Sequence, residues 1–146
     1  MAIHFYCQQV KNPISQKRRW KSWIKETILA EGKTLGNISY IFCTDDALLE
    51  INQQFLQHDT YTDIITFDYS EENAVSGEIY VSTERVKENA SSFQVSFEQE
   101  LSRVVIHGVL HLCGYKDKKK EDIQIMRRKE DIYISNLNLI SSQSKK

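Results

Sequence analysis

The sequence is poor in the features that mark a secreted or membrane-bound protein. Its 146 residues include three cysteines, Cys7, Cys43 and Cys113, an odd number spaced far apart that suggests no disulfide framework. The N-terminal stretch lacks the order of a secretion signal, and no apolar run approaches the ~20 residues that span a bilayer. We therefore expect a protein of the reducing cytoplasm that makes no membrane contact.

An excess of charge of one sign is also missing. Lys and Arg number 19, Asp and Glu number 20, and the formal net charge is −1. This balance excludes a strongly basic coat for nucleic acid but is compatible with a local basic patch. The sequence has no internal repeat, and its length predicts one domain over residues 1–140 and a disordered tail over residues 141–146.

Strand-like and helix-like segments alternate early in the chain, and helices dominate its second half. A short loop between the third and fourth strands favours an antiparallel pair. Ser15 is the expected cap of the first helix. The order predicts an α+β domain in which about five helices pack on a small four-stranded mixed sheet. The predicted strands cover residues 3–8, 37–43, 64–69 and 77–82, and the helices cover about 16–31, 45–55, 83–93, 97–113 and 118–137.

Residues 107–117 carry most of the chemical information. His107 and His111 lie four residues apart in an apolar run, so a helix places both imidazoles on one face. Gly114 is the residue type that ends a helix in the left-handed conformation, and the reversed chain can return Asp117 to the same point. Two imidazole nitrogens, one carboxylate oxygen and an open position are typical of catalytic zinc. The alternative, two core histidines with ordinary partners, fits the spacing less well.

The helix that carries these histidines is well marked. Ser96 and Gln99 form a capping-box pattern at its start. On the last helix, Met126 and Glu130 fall on the inner face together with Ile123. Glu130 is therefore either a buried carboxylate with a partner or a residue near the rim. The buried face of the histidine helix is predicted to consist of Leu101, Val104, Val105, Val109 and Leu112.

These residues support metal-assisted hydrolysis. A bound ion lowers the pKa of its water to about 7 and can neutralise a phosphate oxygen. Zinc peptidases of the His-Glu-x-x-His kind place a general base directly after the first histidine, where this chain has Gly108. A glycine there offers no proton acceptor but permits close approach of backbone or substrate. Peptidase chemistry would need a base from elsewhere, and Asp59, Asp63 and Glu78 are more simply interpreted as loop, turn and edge-strand residues.

Basic residues crowd the predicted third ligand. Lys116, Lys118 and Lys119 would alone be a solvated helix start, but beside a metal site they are candidate RNA contacts that attract phosphates. Tyr115 either stacks on a base of a single strand or fills the core behind the turn. Cys113 lies two residues past His111 and is predicted to pack in the core instead of binding metal.

The motif resembles the signature of the YbeY family of bacterial single-strand-specific metallo-endoribonucleases. That signature usually ends Gly-Tyr-Asp-His, whereas this chain has Lys116 and Asp117, so a carboxylate replaces the third histidine ligand. Leu56 stands where the family usually has an arginine thought to help with RNA, and Tyr61 replaces a usual proline. The stretches that carry the resemblance are His107-Gly-Val-Leu-His111-Leu-Cys-Gly-Tyr115, Asn52, Asp59, residues 62–67, residues 77–79, Met126 and Glu130.

The resemblance implies a zincin-like metal hydrolase that cuts single-stranded RNA with one zinc ion on His107, His111 and Asp117. It also implies maturation of the 3′ end of small-subunit ribosomal RNA and ribosome quality control, with RNA and the ribosome as partners. Two histidines and a carboxylate can also hold Fe(II) or another transition ion. Two alternatives stay open: a zinc peptidase, and a ribosome-associated binding module whose structural metal takes Glu78 or Glu130 as fourth ligand.

Overall fold

The computed structural model describes residues 2–57 and 60–144, with side chains as far as Leu137. In that part of the chain no helix is both long and apolar enough to cross a membrane. Asp59 and the last two residues of the predicted tail lie outside the described residues. The elements in chain order are β1 Ala2–Cys7, α1 Lys17–Ala30, β2 Thr34–Cys43, α2 Asp45–Leu56, β3 Ile64–Asp68, β4 Ala74–Ser82, α3 Thr83–Phe93, α4 Phe97–Leu112 and α5 Lys120–Ser144.

The sheet confirms the predicted mixed architecture. Its strand order is β1-β2-β4-β3, with β1 and β4 parallel to β2 and with β3 antiparallel to β4. The short connection between β3 and β4 therefore does form the expected antiparallel pair. The order places β4 inside the sheet, so the prediction that Glu78 lies on an edge strand is wrong.

Three helices begin directly after a residue whose side chain caps them. The side chains of Thr44, Ser82 and Ser96 each accept a hydrogen bond from a backbone N–H at the beginning of α2, α3 and α4, at distances of 3.1–3.2 Å. The prediction for Ser15 is wrong, because α1 begins after Gln16, whose side chain caps nothing. The first turn of α1 is therefore stabilised by burial and not by a capping side chain. Trp20 and Trp23 are only 3% and 1% exposed.

Four element boundaries differ from the sequence prediction by two residues or more. β2 and β4 each begin three residues early, because Thr34 pairs with Ala74 and Leu35 with Val75 before a register shift. α5 begins at Lys120 instead of 118 and continues to Ser144 instead of 137. The backbone of residues 141–144 is thus helical, where the sequence predicts a disordered tail.

Helix α4 lies directly on the sheet, and Gly108 makes this possible. A Cβ atom at residue 108 would come within 3.0 Å of Ile64 Cδ1 and Ile79 Cγ2. The close approach permitted by this glycine is therefore to β3 and β4, not to a substrate. The predicted apolar face of α4 is buried in the main core. On α5, Met126 is buried as predicted, and Glu130 and Tyr133 are buried as well, but Ile123, predicted on the same inner face, is exposed.

Candidate metal centre

The two histidines of α4 and Asp117 converge on one point. His107 Nε2 and His111 Nε2 both lie 3.2 Å from Asp117 Oδ2. The imidazole centroids are 4.5 Å apart, with ring planes at 81°. Within the described part of the chain, this is the one group of three metal-binding side chains whose ligand atoms all lie within 4.8 Å of one another.

The turn after α4 returns Asp117 to the two histidines, as Gly114 predicts. Gly114 has φ +107°, and its N–H donates to the His111 carbonyl at 3.0 Å. The Tyr115 N–H donates to the Leu110 carbonyl, also at 3.0 Å. These bonds satisfy the carbonyls at the helix end and reverse the chain within a few residues. Asp117 then lies over the helix face that carries both imidazoles.

The outer nitrogens of both imidazoles are occupied. His111 Nδ1 donates to the Tyr115 carbonyl at 3.0 Å, and His107 Nδ1 lies 2.6 Å from Glu130 Oε2. A carbonyl oxygen can only accept, so the proton of a neutral His111 is on Nδ1 and the lone pair of Nε2 faces the site. The carboxylate of Glu130 favours the same arrangement at His107.

The donor set fits a small divalent ion. Metal–ligand bonds of about 2.0–2.1 Å at tetrahedral angles place ligand atoms about 3.3 Å apart. The two Nε2–Oδ2 separations, 3.2 Å each, are close to that value. Two nitrogens and one oxygen are ligands that zinc accepts, and three ligands leave one tetrahedral position free.

Glu130 contacts His107 on the side of the ring that faces away from Asp117. It is 4% exposed, and its Oε1 accepts a hydrogen bond of 2.7 Å from Arg103, which also binds Asp131 at 2.8 Å. Of the two sequence interpretations, the buried carboxylate with a partner is therefore correct. Burial lowers the pKa of His107, but hydrogen bonding and charge from Glu130, followed by the charge of Asp117, bring its net pKa above the usual value.

Glu130 and Glu78 do not complete a fourth ligand among the described residues. Glu130 lies on the Nδ1 side of His107, opposite the nitrogen that faces Asp117. Glu78 instead accepts a hydrogen bond of 2.9 Å from the Tyr69 hydroxyl. Neither carboxylate belongs to the group of converging ligand atoms.

A cleft of about 380 Å³ opens beside the triad, between α3, α4, α5 and the start of β3. His107 and Asp117 form part of its wall. Besides the two ligands, the cleft is lined by carboxylates, two arginines and two exposed apolar side chains that no local sequence pattern groups together. The other lining residues are Asp63, Ile64, Asn89, Phe93, Glu100, Arg103, Val104, Ile123, Met126, Arg127 and Glu130.

The candidate RNA contacts of the turn divide into two groups. Lys116, Lys118 and Lys119 are exposed, and none of them forms an ion pair with another described residue. Tyr115 packs against the main core, and its hydroxyl donates to Glu31 at 2.5 Å, which favours the packing alternative. Cys113 also packs against that core, and burial raises its pKa to about 11, so it does not resemble a metal-binding thiolate.

A second polar cluster, which is centred on the carboxylate of Glu31, was not predicted from the sequence. Glu31, at the C-terminal end of α1, accepts hydrogen bonds from the hydroxyls of Tyr115 and Tyr133 and from Lys129 Nζ. Burial opposes ionisation of Glu31, but these donors outweigh it and lower its pKa. Because Tyr115 also offers its carbonyl to His111, this cluster holds the turn that carries Asp117. Glu31 and Tyr115 are 84 residues apart, and no local pattern links them.

Known proteins resemble this chain over most of its length. Residues 4–138 match the family model described as Endoribonuclease YbeY. The Endoribonuclease YbeY of Flavobacterium psychrophilum is 57% identical over 118 residues, which are 81% of this chain and 84% of that protein. The Phocaeicola vulgatus protein of the same name is 45% identical, over 94% of this chain and 99% of its own. The solution structure of TM1509 from Thermotoga maritima matches with a TM-score of 0.68 and 32% identity, covering 99% of this chain and 95% of that one.

Proposed function

The chain belongs to the YbeY family of endoribonucleases, and from this premise we propose that His107, His111 and Asp117 form its active site and cut single-stranded RNA with a bound zinc ion. Membership makes the protein a metal-dependent endoribonuclease of ribosomal RNA processing. The observation that carries the assignment of the site is the approach of both Nε2 atoms to one Asp117 oxygen at 3.2 Å.

Each side chain around the proposed site has a role in holding the ion. His107 and His111 supply neutral imidazole nitrogens, and Asp117 supplies the negative charge. Glu130 and the Tyr115 carbonyl keep the protons of both rings on Nδ1, and Arg103 balances the buried charge of Glu130. When bound, a zinc ion supplies a water of lowered pKa and positive charge for a phosphate oxygen.

The surroundings of the site suit a polyanionic strand. Lys116, Lys118 and Lys119 are exposed on the turn that carries Asp117, where they can contact phosphates on either side of the scissile bond. Leu56, which replaces the family's usual arginine, is exposed at the end of α2 and provides no charge there. We propose that phosphate contacts come from the lysine turn instead, and that the substrate is small-subunit ribosomal RNA on or near the ribosome in the cytoplasm.

The two alternatives are weaker. A peptidase of the His-Glu-x-x-His kind needs a base at residue 108, but Gly108 faces Ile64 and Ile79 of the sheet, where a carboxylate has no room. A structural metal needs a fourth protein ligand, and the described residues bring three together.

The proposed function is tested with matched single-stranded and duplex RNA of one sequence. We expect zinc-loaded protein to cut the single strand, to lose activity with a chelator and to regain it with zinc. His111→Ala should be inactive, whereas His4→Ala, which changes an exposed histidine of β1, should retain wild-type activity. Cleavage that survives complete removal of metal, or equal cleavage by His111→Ala, would show that another site performs the reaction.

A further inference from the structure

Glu100 is a buried carboxylate to which no described residue forms a hydrogen bond or an ion pair. It lies on α4, is 6% exposed, and its remaining exposure faces the cleft beside the metal centre. The carboxylate oxygens of Glu100 are not sealed from solvent; they open into the cleft, where they remain able to accept hydrogen bonds. A largely buried carboxylate that turns its unpaired oxygens into a cleft beside an active site fits a ligand that donates hydrogen bonds.

Asp63 lies across the same cleft and increases the negative character of its floor. Burial raises the pKa of Glu100 and the charge of Asp63 raises it further, while the charges of Arg103 and Arg127 offset part of this rise. Burial also raises the pKa of Asp63. Two carboxylates in a cleft repel a phosphate, and the charges of Arg103 and Arg127 in the same lining offset this only in part, which disfavours the RNA backbone as the ligand at this point. The two carboxylates are also not a second metal site, since the described residues contain no other group of three converging ligands.

The rim of the cleft is apolar and exposed. Phe93, at the end of α3, is 63% exposed, and Ile123, on α5, is 47% exposed. An exposed aromatic ring beside a nuclease site is the platform on which single-stranded bases stack. Arg127 lines the cleft as well, and a guanidinium can also stack on a planar base.

The distance along α4 between Glu100 and His107 matches the size of one nucleotide. Glu100 precedes His107 by seven residues, about 10 Å along a helix axis at about 1.5 Å per residue. This separation is comparable to the reach of a nucleotide from its phosphate to the far edge of its base. A strand with one phosphate at the metal centre can therefore place a neighbouring base over Glu100.

We propose that this cleft is a nucleobase subsite, in which Glu100 and Asp63 accept hydrogen bonds from the N–H groups of a base whose face stacks on Phe93. The inference rests on the proposed function, because it takes RNA as the ligand. Guanine fits best, since its N1–H and its 2-amino group point in the same direction and can both donate to one carboxylate. Uracil has a single N–H flanked by two carbonyl oxygens, which carboxylates repel. The subsite thus selects guanine over uracil near the cut.

The test compares guanosine with inosine, which lacks the 2-amino group but keeps N1–H. Oligouridylates carry one guanosine or one inosine at each position in turn. The ratio of kcat/KM for the two RNAs is measured with zinc-loaded protein, and the ratio of affinities is measured by fluorescence anisotropy in chelator. At the preferred position we expect wild type to favour guanosine about tenfold, within the range of a good bidentate contact. In Glu100→Gln the ratio should fall to about one.

Glu98→Gln is the matched control. Glu98 lies two residues away on α4, and its exposed side chain is 3.9 Å from Arg19, outside the cleft. Its guanosine preference should equal that of wild type. A wild-type ratio of one at every position, or a tenfold ratio that persists in Glu100→Gln, overturns the subsite.

Phe93 provides a second test that does not depend on a buried substitution. Phe93→Ala should weaken binding of guanosine-containing RNA at least fivefold, and Phe93→Tyr should restore it. Unchanged affinity in Phe93→Ala overturns the stacking contact. Failure of the proposed function looks different: zinc-dependent cleavage would be absent for every RNA, while the guanosine preference in binding would remain.

Discussion

Glu130 and Glu100 are two buried carboxylates in the wall of one cleft, yet their surroundings are opposite. Glu130 is 4% exposed and binds both Arg103 and His107, whereas Glu100 is 6% exposed and pairs with no described residue. The first is fully used by the protein to orient a metal ligand. The second keeps its hydrogen-bonding capacity for something that is not part of the chain. Equal burial therefore does not mean equal role, and the partners decide which carboxylate is structural and which faces a ligand.

The largest effect is expected when a metal ligand itself is removed. His111→Ala takes away one of three converging ligand atoms and should lose stoichiometric zinc. Glu100→Gln should keep full zinc occupancy, because Glu100 is not in the ligand group. The zinc content of the purified proteins after dialysis checks both. Full occupancy in His111→Ala would remove this histidine from the site.

The second-largest effect is expected for Glu130→Ala, as a loss of folding stability. It removes the buried partner of Arg103, but this arginine is 22% exposed and keeps Asp131, so we expect the loss of about 1.5–3 kcal/mol typical of a hydrogen bond to a charged group. Asp131→Ala removes the exposed partner of the same arginine and should cost at most about 1 kcal/mol. Urea unfolding of the metal-free proteins measures both changes. Similar losses for the two variants would contradict the special position of Glu130.

Glu31→Gln should weaken zinc binding indirectly, by shifting the turn that carries Asp117. The amide cannot accept from both tyrosines and Lys129 as the carboxylate does, so Tyr115, whose carbonyl orients His111, should shift. We expect zinc affinity to fall about threefold to tenfold, less than the 10–100-fold typical of groups that bond a ligand directly. Calorimetric titration with zinc measures the change, and Glu26→Gln, an exposed site on α1, is the control. A wild-type affinity in Glu31→Gln would separate the cluster from the metal centre.

The smallest effect should be a gain in stability for Glu100→Gln. The folded-state pKa of Glu100 is raised, so the folded protein binds this proton more tightly than the unfolded chain does. Ionisation of Glu100 therefore lowers the free energy of unfolding as pH rises from the usual carboxyl pKa through the raised one. Above that window Glu100→Gln should be more stable than wild type by about 1 kcal/mol, and below it the gain should vanish. Unfolding curves at several pH values measure the difference; a loss of stability at neutral pH would mean that Glu100 has a partner.

Local patterns in the sequence predicted much of this protein. The four-residue spacing of His107 and His111 and the glycine at residue 114 depend on a single helix and its end, and both appear as expected. The mixed four-stranded sheet with five helices followed from alternation and loop length. Errors arose where pairing between distant segments extends an element, as at Thr34 and Ala74. The isolated segments contain no signal for such pairing.

The three candidate ligands and the elements that carry them can be predicted from local patterns, because helix periodicity and a left-handed glycine act over a few residues. The other features of the site depend on how distant segments pack. The tertiary structure brought Glu130 to His107 across 23 residues and Glu31 to Tyr115 across 84 residues. It pressed Gly108 against the sheet and left Glu100 without a described partner. Burial and pairing are properties of a packed interior, and they exist only once segments distant in the chain have come together.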